Sequence, residues 1–215
     1  MASCCDRVKH GKSPGVAEHF VHSNVYVQQE GKMSTMAVSR GKTYDMVYIG
    51  VFVVLMAICS WIAIPTAVPF TLQTFGVFMA VEMLGGKRGT IAVLLYILLG
   101  AVGVPVFAGM TGGIGIITGT TGGYIVGFLF SALTMWAMEK IPGKKSLIQI
   151  FSMAAGLLVC YAFGTLWFMA VYMRTNGAIG IAAVLGWCVI PFVIPDIIKI
   201  VLAYGLSKKL KKYVM

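Results

Sequence analysis

The amino-acid sequence predicts an all-α membrane protein that crosses the bilayer several times. Of its 215 residues, 59% are apolar and only 11% are charged, whereas a soluble domain is about 45 to 50% apolar and about 25% charged. The stretches 46–81, 89–138, 146–173 and 175–195 contain no Asp, Glu, Lys or Arg. Because about 20 apolar residues cross a bilayer as a helix, the longest stretch has room for two crossings and their connection.

The composition divides the chain into three parts. Residues 1–45 are polar and mixed in charge, and we expect them to form a disordered tail. Residues 46–207 are predicted to form a membrane domain of six helices. Residues 208–215 form a basic tail that contains four lysines.

Prolines and glycines mark the ends of the first three predicted crossings. The first runs from Met46 to about Ile64 and is stopped by Pro65 and Pro69. The second covers about 71–84 and ends at a Gly-Gly-Lys-Arg turn. The third covers about 89–104 and leads into a segment rich in glycine and threonine at 108–123. We expect this segment to be a loop at membrane depth.

The second half of the chain contains three further crossings. The fourth is predicted at 124–138 and the fifth at about 147–172. The remaining apolar run, 177–206, is too long for one crossing. We therefore assign residues 178–190 to an interfacial helix and take Pro195 as the first residue of the last crossing, a position at which its missing N–H is harmless.

The distribution of basic residues supports six crossings rather than seven. With six, 15 of the 17 Lys and Arg residues fall on one side, Arg174 falls on the other, and Lys199 lies within the membrane. Positive charge concentrates on the cytoplasmic side of membrane proteins. A seventh crossing would move the four C-terminal lysines outside, so we predict that both termini are cytoplasmic.

Asp196 and Lys199 form the sharpest candidate site. They are three residues apart and therefore share one helix face, within a stretch that is otherwise uncharged from 175 to 207. Ionisable residues inside a membrane segment are costly and usually functional. Asp196 also falls in the first turn after Pro195, where the helix dipole favours its anionic form.

Uncharged polar residues are predicted to converge on the same end of the bundle. The Gly/Thr-rich segment at 108–123 and the stretch 65–74 flank it. Irregular backbone at membrane depth must have its polar groups satisfied by protein or a water-filled cavity. The combination suits a small, largely neutral ligand with amide-like groups and an apolar body.

Other classes of function fit the sequence poorly. Phosphate-binding loops need a Gly-x4-Gly-Lys-Ser/Thr pattern, and the two nearest matches lack the first glycine. The three histidines all lie in the N-terminal tail, so neither a hydrolytic triad nor a metal site is expected. The basic residues lie in short loops and tails, which argues against nucleic acid binding. We expect no catalysis, no cofactor and no metal.

Four runs of sequence resemble the BioY family, which comprises the biotin-specific substrate-capture (S) components of energy-coupling-factor (ECF) importers. The runs are IPTAVPFTLQTF at 64–75, KRGTIAVLLYILLGAVGVPVFAG at 87–109, GTTGGYIVGF at 119–128 and PFVIPDIIK at 191–199. They occur in order and with the family's spacing across about 46–206.

The resemblance implies a bacterial plasma-membrane subunit that captures biotin from outside. It would work with one transmembrane coupling protein and two cytoplasmic ATPases. By the family's pattern, Asp196 and Lys199 line the biotin site. Our hypothesis is that Asp196 accepts from a ureido N–H, while Lys199 either pairs with the valerate carboxylate or holds Asp196 anionic. The residues expected to complete the site with hydrogen bonds or a ring surface are Gln73, Thr121, Tyr124, Phe70 and Trp167.

Further partners and one competing function stay open at this point. S components commonly place small residues on the first helix, where the coupling protein docks, and here Gly50 and Ala57 keep part of that pattern. Some members of the family are proposed to oligomerise or to import without the shared module. The competing function is a self-sufficient, ion-coupled secondary transporter for a small vitamin-like solute.

Overall fold

The computed structural model describes residues 41–64, 70–141, 145–177 and 180–214, most of which are helical. Residues 45–215 form one compact unit. In chain order the helices are α1 (Gly41–Trp61), α2 (Gln73–Leu84), α3 (Gly86–Val102), α4 (Ile114–Thr118), α5 (Gly122–Glu139), α6 (Lys145–Asn176), α7 (Ile181–Cys188) and α8 (Ile190–Val214). Of the disordered tail predicted at 1–45, residues 1–40 lie outside the described residues, and residues 41–45 belong instead to α1.

A short hairpin follows α1. Strand β1 (Ala63–Ile64) pairs antiparallel with β2 (Phe70–Thr71), so that Ala63 faces Thr71. The intervening residues 65–69, which include both prolines predicted to stop the first crossing, are not among those described. β2 leads directly into α2, and the start of α2 lies beside the cavity described below.

Among the described residues, three helical stretches are long and apolar enough to cross a membrane: Gly41–Trp61, Ser146–Arg174, and Ile181–Lys212, which runs through α7 and α8. The outward faces of the helices carry large apolar side chains, for example Val54, Leu158 and Val201, each more than half exposed. In water such a surface would be unfavourable, but in lipid it is the expected one. The protein is therefore a multi-pass membrane protein, as its composition predicted.

The interior is built where small residues let helices approach one another. α5 and α6 pack against each other, and Gly164 of α6 lies against the ring of Tyr124, where a Cβ would overlap the ring. In the same way Gly100 of α3 gives room to the buried ring of Phe107. Both aromatic rings line the cavity described below, so these two glycines shape the site.

The structure corrects the predicted loop at 108–123. A short 3-10 turn at Ala108–Met110, helix α4 and the start of α5 occupy most of it. The segment is closed by backbone hydrogen bonds, such as Gly113 N to Gly100 O at 2.6 Å. Gly109 and Gly113 have positive φ values of 70° and 104°, which glycine adopts without steric cost. The segment is therefore a folded cap rather than an open loop.

The structure also corrects the predicted start of the last crossing. α8 begins at Ile190, so Pro195 lies inside the helix. Pro191 occupies the first turn, where an N–H has no helical partner in any case. The interfacial helix predicted at 178–190 corresponds to α7, which packs Val184 and Cys188 inward. α1 is helical from at least Gly41, five residues before the predicted crossing.

Candidate binding site

One cavity of about 270 Å³ lies between the folded cap, the N-terminal parts of α2 and α5, the middle of α6, the end of α7 and the N-terminal half of α8. This is close to the lower limit of about 300 Å³ for small-molecule sites. Its wall is mostly apolar or aromatic, with a few polar groups, which is typical of sites for small organic ligands. The lining residues used below are Thr71, Gln73, Thr74, Thr121, Tyr124, Tyr161, Asp196 and Lys199.

A salt bridge between Asp196 and Lys199 forms the polar end of the cavity. Lys199 Nζ lies 2.6 Å from Asp196 Oδ1, and each side chain is only 3% exposed. The two residues are one turn apart on α8, so the helix itself brings them onto one face. α8 alone therefore brings Asp196 and Lys199 together. The other groups that contact this pair come from different helices and depend on the tertiary fold.

The carboxylate of Asp196 has two further donors from other helices. The hydroxyl of Thr74, on α2, donates to Oδ1 at 3.1 Å, and the hydroxyl of Tyr161, on α6, donates to Oδ2. With Lys199 this makes three hydrogen bonds to a carboxylate that can accept about four. By this count, one acceptor position on Asp196 has no donor among the described residues.

The ammonium group of Lys199 uses all three of its donors within the chain. It donates to Thr71 O at 2.6 Å, to Thr74 Oγ1 at 3.1 Å and to Asp196 Oδ1. It also lies 4.3 Å from the centroid of the Phe70 ring, a cation–π distance. An ammonium has three N–H groups and no more, so this lysine is fully committed to the protein.

These contacts explain how two charges can be buried together. An isolated buried charge is strongly unfavourable, whereas a pair with good geometry and extra hydrogen bonds offsets much of its desolvation. Lys199 and Asp196 compensate each other, and Thr74 bonds to both of them. The charged end of the cavity is consequently close to neutral overall and held by α2, α6 and α8.

Neutral hydrogen bonds fix the remaining polar groups of the wall. Gln73 Nε2 donates to Tyr96 Oη at 2.8 Å, and Tyr96 in turn donates to Val106 O at 2.7 Å. The hydroxyl groups of Tyr124 and Thr165 are 3.2 Å apart. These bonds orient Gln73 and Tyr124 beside the cavity without using a charge.

The structure brings together five of the seven residues predicted for the binding site. The residues that line the cavity are Asp196, Lys199, Gln73, Thr121 and Tyr124. Phe70 lies behind this layer, against Lys199 and 5.9 Å from the ring of Phe192. Trp167 supports the cap from outside the cavity, because its Nε1 donates to Gly119 O at 3.0 Å. The roles predicted for these seven side chains stay predictions.

The two residues predicted for docking on α1 have different surroundings. Gly50 is exposed, with open space around its Cα. Ala57 is only 6% exposed and belongs to the hydrophobic core. The exposed side of α1 instead carries larger residues, including Val51 and Val54. The small size of Ala57 therefore serves packing inside the chain.

Tyr161 is the most important site residue that the sequence did not indicate. It lies in the middle of an apolar helix, 35 residues before Asp196, and no local pattern distinguishes it from a core tyrosine. Thr74 was expected only as part of a polar stretch. Cys160 and Cys188 also line the cavity.

A second polar cluster lies at the other ends of α2 and α8. Glu82 is 6% exposed, accepts from Gln149 Nε2 at 2.8 Å and lies 3.7 Å from Lys211 Nζ. Glu82 is therefore paired within the chain.

Comparisons with known proteins identify the family of the chain. The model of the BioY family matches residues 30–215. The biotin transporter BioY of Thermotoga maritima is 39% identical over 170 residues, which cover 78% of this chain and 96% of that one. The probable biotin transporter BioY of Pyrococcus horikoshii is 36% identical over 172 residues, covering 79% and 98%.

A solved structure has the same fold. It is the crystal structure of the S-component for biotin from an ECF-type ABC transporter, with a TM-score of 0.70 and 24% sequence identity. The match covers 80% of this chain and 93% of that chain. Because the family model spans most of the sequence and the relatives match over nearly their full length, the chain belongs to the BioY family.

Proposed function

We propose that this protein is the biotin-capturing S component of an ECF-type importer in the bacterial plasma membrane. The observation that carries the proposal is the cavity whose polar end is the buried Asp196–Lys199 pair, in a chain of this family. The head of biotin is a neutral bicyclic urea with an apolar ring, and it suits a cavity whose wall is mostly apolar with a few polar groups. The relatives named as biotin transporters support the choice of ligand.

Within the site, Asp196 accepts one ureido N–H through the acceptor position that its three protein donors leave unused. Lys199 holds the carboxylate of Asp196 in place through their ion pair. Thr121 and the hydroxyl of Tyr124, both on the wall of the cavity, supply neutral hydrogen bonds to the ligand. Phe70 supports Lys199 from behind, and Trp167 holds the cap at Gly119.

The helices are proposed to cross the membrane six times, as α1, α2, α3, α5, α6 and α8. α4 and α7 stay at the outer end with the cavity, and both termini are cytoplasmic. The distribution of Lys and Arg supports this orientation. α2, with 12 residues, is short for a full crossing of about 20; the hairpin before it continues the path toward the outer surface.

Delivery across the membrane is proposed to require one coupling protein and two ATPases, as the ECF context implies. The sequence has no phosphate-binding loop of its own. If the protein instead worked as an ion-coupled carrier, uptake by cells would stop when the proton or sodium gradient collapses and would persist after removal of the ATPases. If the protein is an S component, uptake should instead stop when the ATPases are removed.

Equilibrium binding of tritiated biotin to the purified full chain in detergent, without any ATPase, tests the capture step. We expect tight, saturable binding. Asp196→Asn removes the charged acceptor, so it should weaken binding about tenfold to a hundredfold, the range for a hydrogen bond to a charged group.

Glu82→Gln is the matched control, because Glu82 is equally buried but belongs to the cluster at the other end. It should leave the Kd within about threefold of the parent value. Equal losses in the two variants would contradict the assignment of Asp196. Absence of biotin binding by folded protein would overturn the proposed function itself.

A further inference from the structure

An apolar groove lies on the surface of the bundle between α2 and α8, outside the cavity. It has a volume of about 340 Å³ and is lined by Phe75 of α2 and by Val201, Leu202, Gly205, Leu206 and Lys209 of α8. None of these residues lines the cavity. Val201, Leu202 and Leu206 are large and exposed. In a membrane protein such side chains face lipid or a membrane partner rather than water.

The groove is open because α8 has a glycine among these large side chains. Val201, Gly205 and Lys209 follow one another at intervals of four residues, so they form a row along one face of the helix. A Cβ on Gly205 would have nothing within 4 Å among the described residues. Unlike Gly100 and Gly164, Gly205 therefore makes no room for a side chain of this protein, although glycine weakens a helix relative to alanine. The space beside it is left for another molecule.

A cation lies at one end of this row. Lys209 is exposed, and among the described carboxylates none pairs with it. The lysines on either side of it have contacts elsewhere. Lys211 lies 3.7 Å from Glu82, and the ammonium group of Lys208 lies 5.8 Å from the centroid of the Tyr204 ring. Of the four C-terminal lysines, Lys209 is the one that lines the groove.

An apolar groove that ends at an unpaired cation matches an amphiphile with an anionic head. The end of α8 supplies no counter-ion of its own, because residues 208–215 contain four lysines and no Asp or Glu. The anionic head groups of a bilayer lie where a helix leaves the hydrocarbon, and basic pockets between membrane helices bind such head groups. A lipid therefore supplies both an apolar chain for the groove and a phosphate for Lys209.

We propose that this groove binds an anionic phospholipid, with one acyl chain along Val201 and Gly205 and the phosphate on Lys209. The lipid belongs to the leaflet on the side of the C terminus. The site shares no residue with the cavity, so the proposal holds whatever ligand the cavity takes.

Native mass spectrometry of the purified full chain in detergent tests the proposal. The probes are dioleoylphosphatidylglycerol, which is anionic, and dioleoylphosphatidylcholine, which has the same chains and no net charge. We expect the anionic lipid to bind about fivefold more tightly, the effect of one lysine near an anionic head group. Lys209→Gln should abolish this preference. Lys208→Gln is the matched control and should keep it.

Gly205→Leu tests the groove itself. The added side chain enters open space, and leucine favours a helix more than glycine does, so the variant should fold; its unfolding temperature checks this. It should bind both lipids at least about fivefold more weakly than the parent, because the path of the acyl chain is filled.

Three results would overturn the proposal. Equal affinity of the parent for the two lipids would exclude recognition of the head group. Equal losses in Lys208→Gln and Lys209→Gln would indicate diffuse attraction to the basic tail. A dimer of the parent that Gly205→Leu dissociates would assign the groove to a second copy of the chain. Absence of biotin binding by the parent, with the lipid preference present, would overturn only the proposed function.

Discussion

Two lysine–carboxylate pairs occupy opposite ends of α8, and their surroundings differ. At the cavity end, Lys199 and Asp196 are 2.6 Å apart and each side chain is 3% exposed. At the other end, Lys211 and Glu82 are 3.7 Å apart, and the lysine side chain is 32% exposed. The first pair is short, buried and bonded to three further groups, whereas the second is longer and open to solvent on one side.

The difference indicates how strongly the stability of the protein depends on each pair. An exposed ion pair contributes about 0 to 1 kcal/mol, because water and salt screen it. A buried pair need not stabilise the fold relative to an apolar one, but removal of one partner is costly. The chain therefore depends strongly on both members of the pair at the cavity and weakly on Lys211.

The largest effect is expected for Lys199→Met. The variant leaves Asp196 buried without its cation, which should lower the free energy of unfolding by about 3 to 5 kcal/mol. The unfolding temperature in detergent measures this loss. The double variant Asp196→Leu with Lys199→Met removes both charges and should recover much of the stability but bind no biotin. If Lys199→Met alone were as stable as the parent, the stability of the chain would not depend on the buried pair as stated.

A smaller effect is expected when a donor to the pair is removed. Tyr161→Phe deletes the hydroxyl that donates to the charged Asp196, and should weaken biotin binding by about 1.5 to 3 kcal/mol. Tyr124→Phe deletes a bond to the neutral Thr165, and should cost only about 0.5 to 1.5 kcal/mol. The measurement is the Kd for biotin of each variant. A larger loss in Tyr124→Phe would show that Tyr124, not Asp196 with its donors, dominates recognition.

The smallest effect is expected at the other end of α8. Lys211→Gln removes the partly exposed partner of Glu82 but keeps the bond from Gln149, and should change stability by no more than about 1 kcal/mol. The shift in unfolding temperature should shrink further as salt is raised. A change as large as that of Lys199→Met would show that Glu82 is as dependent on its lysine as Asp196 is.

Much of the architecture could be predicted from residue type and spacing alone. The uncharged stretches indicated membrane helices because charges are excluded from hydrocarbon. The spacing of Asp196 and Lys199 placed both on one face because an α-helix repeats every 3.6 residues. The helix ends were less certain: Pro195 signalled a start, but α8 begins five residues earlier, where Pro191 already occupies the first turn.

Which side chains contact the Asp196–Lys199 pair depends on the tertiary structure. Thr74 and Tyr161 reach Asp196 from sequence distances of 122 and 35 residues, and no local period can encode such a meeting. It also decided that the Gly/Thr-rich segment folds as a cap, through bonds such as Gly113 N to Gly100 O.

The sequence by itself determined that this is a helical membrane protein with one ionic pair on one helix, because hydropathy and helical periodicity are local properties of the chain. Only the folded bundle decided that Lys199 uses its three donors within the chain and that Asp196 accepts three hydrogen bonds there. Hydrogen-bond saturation depends on which helices pack side by side, and that packing is a property of the whole molecule.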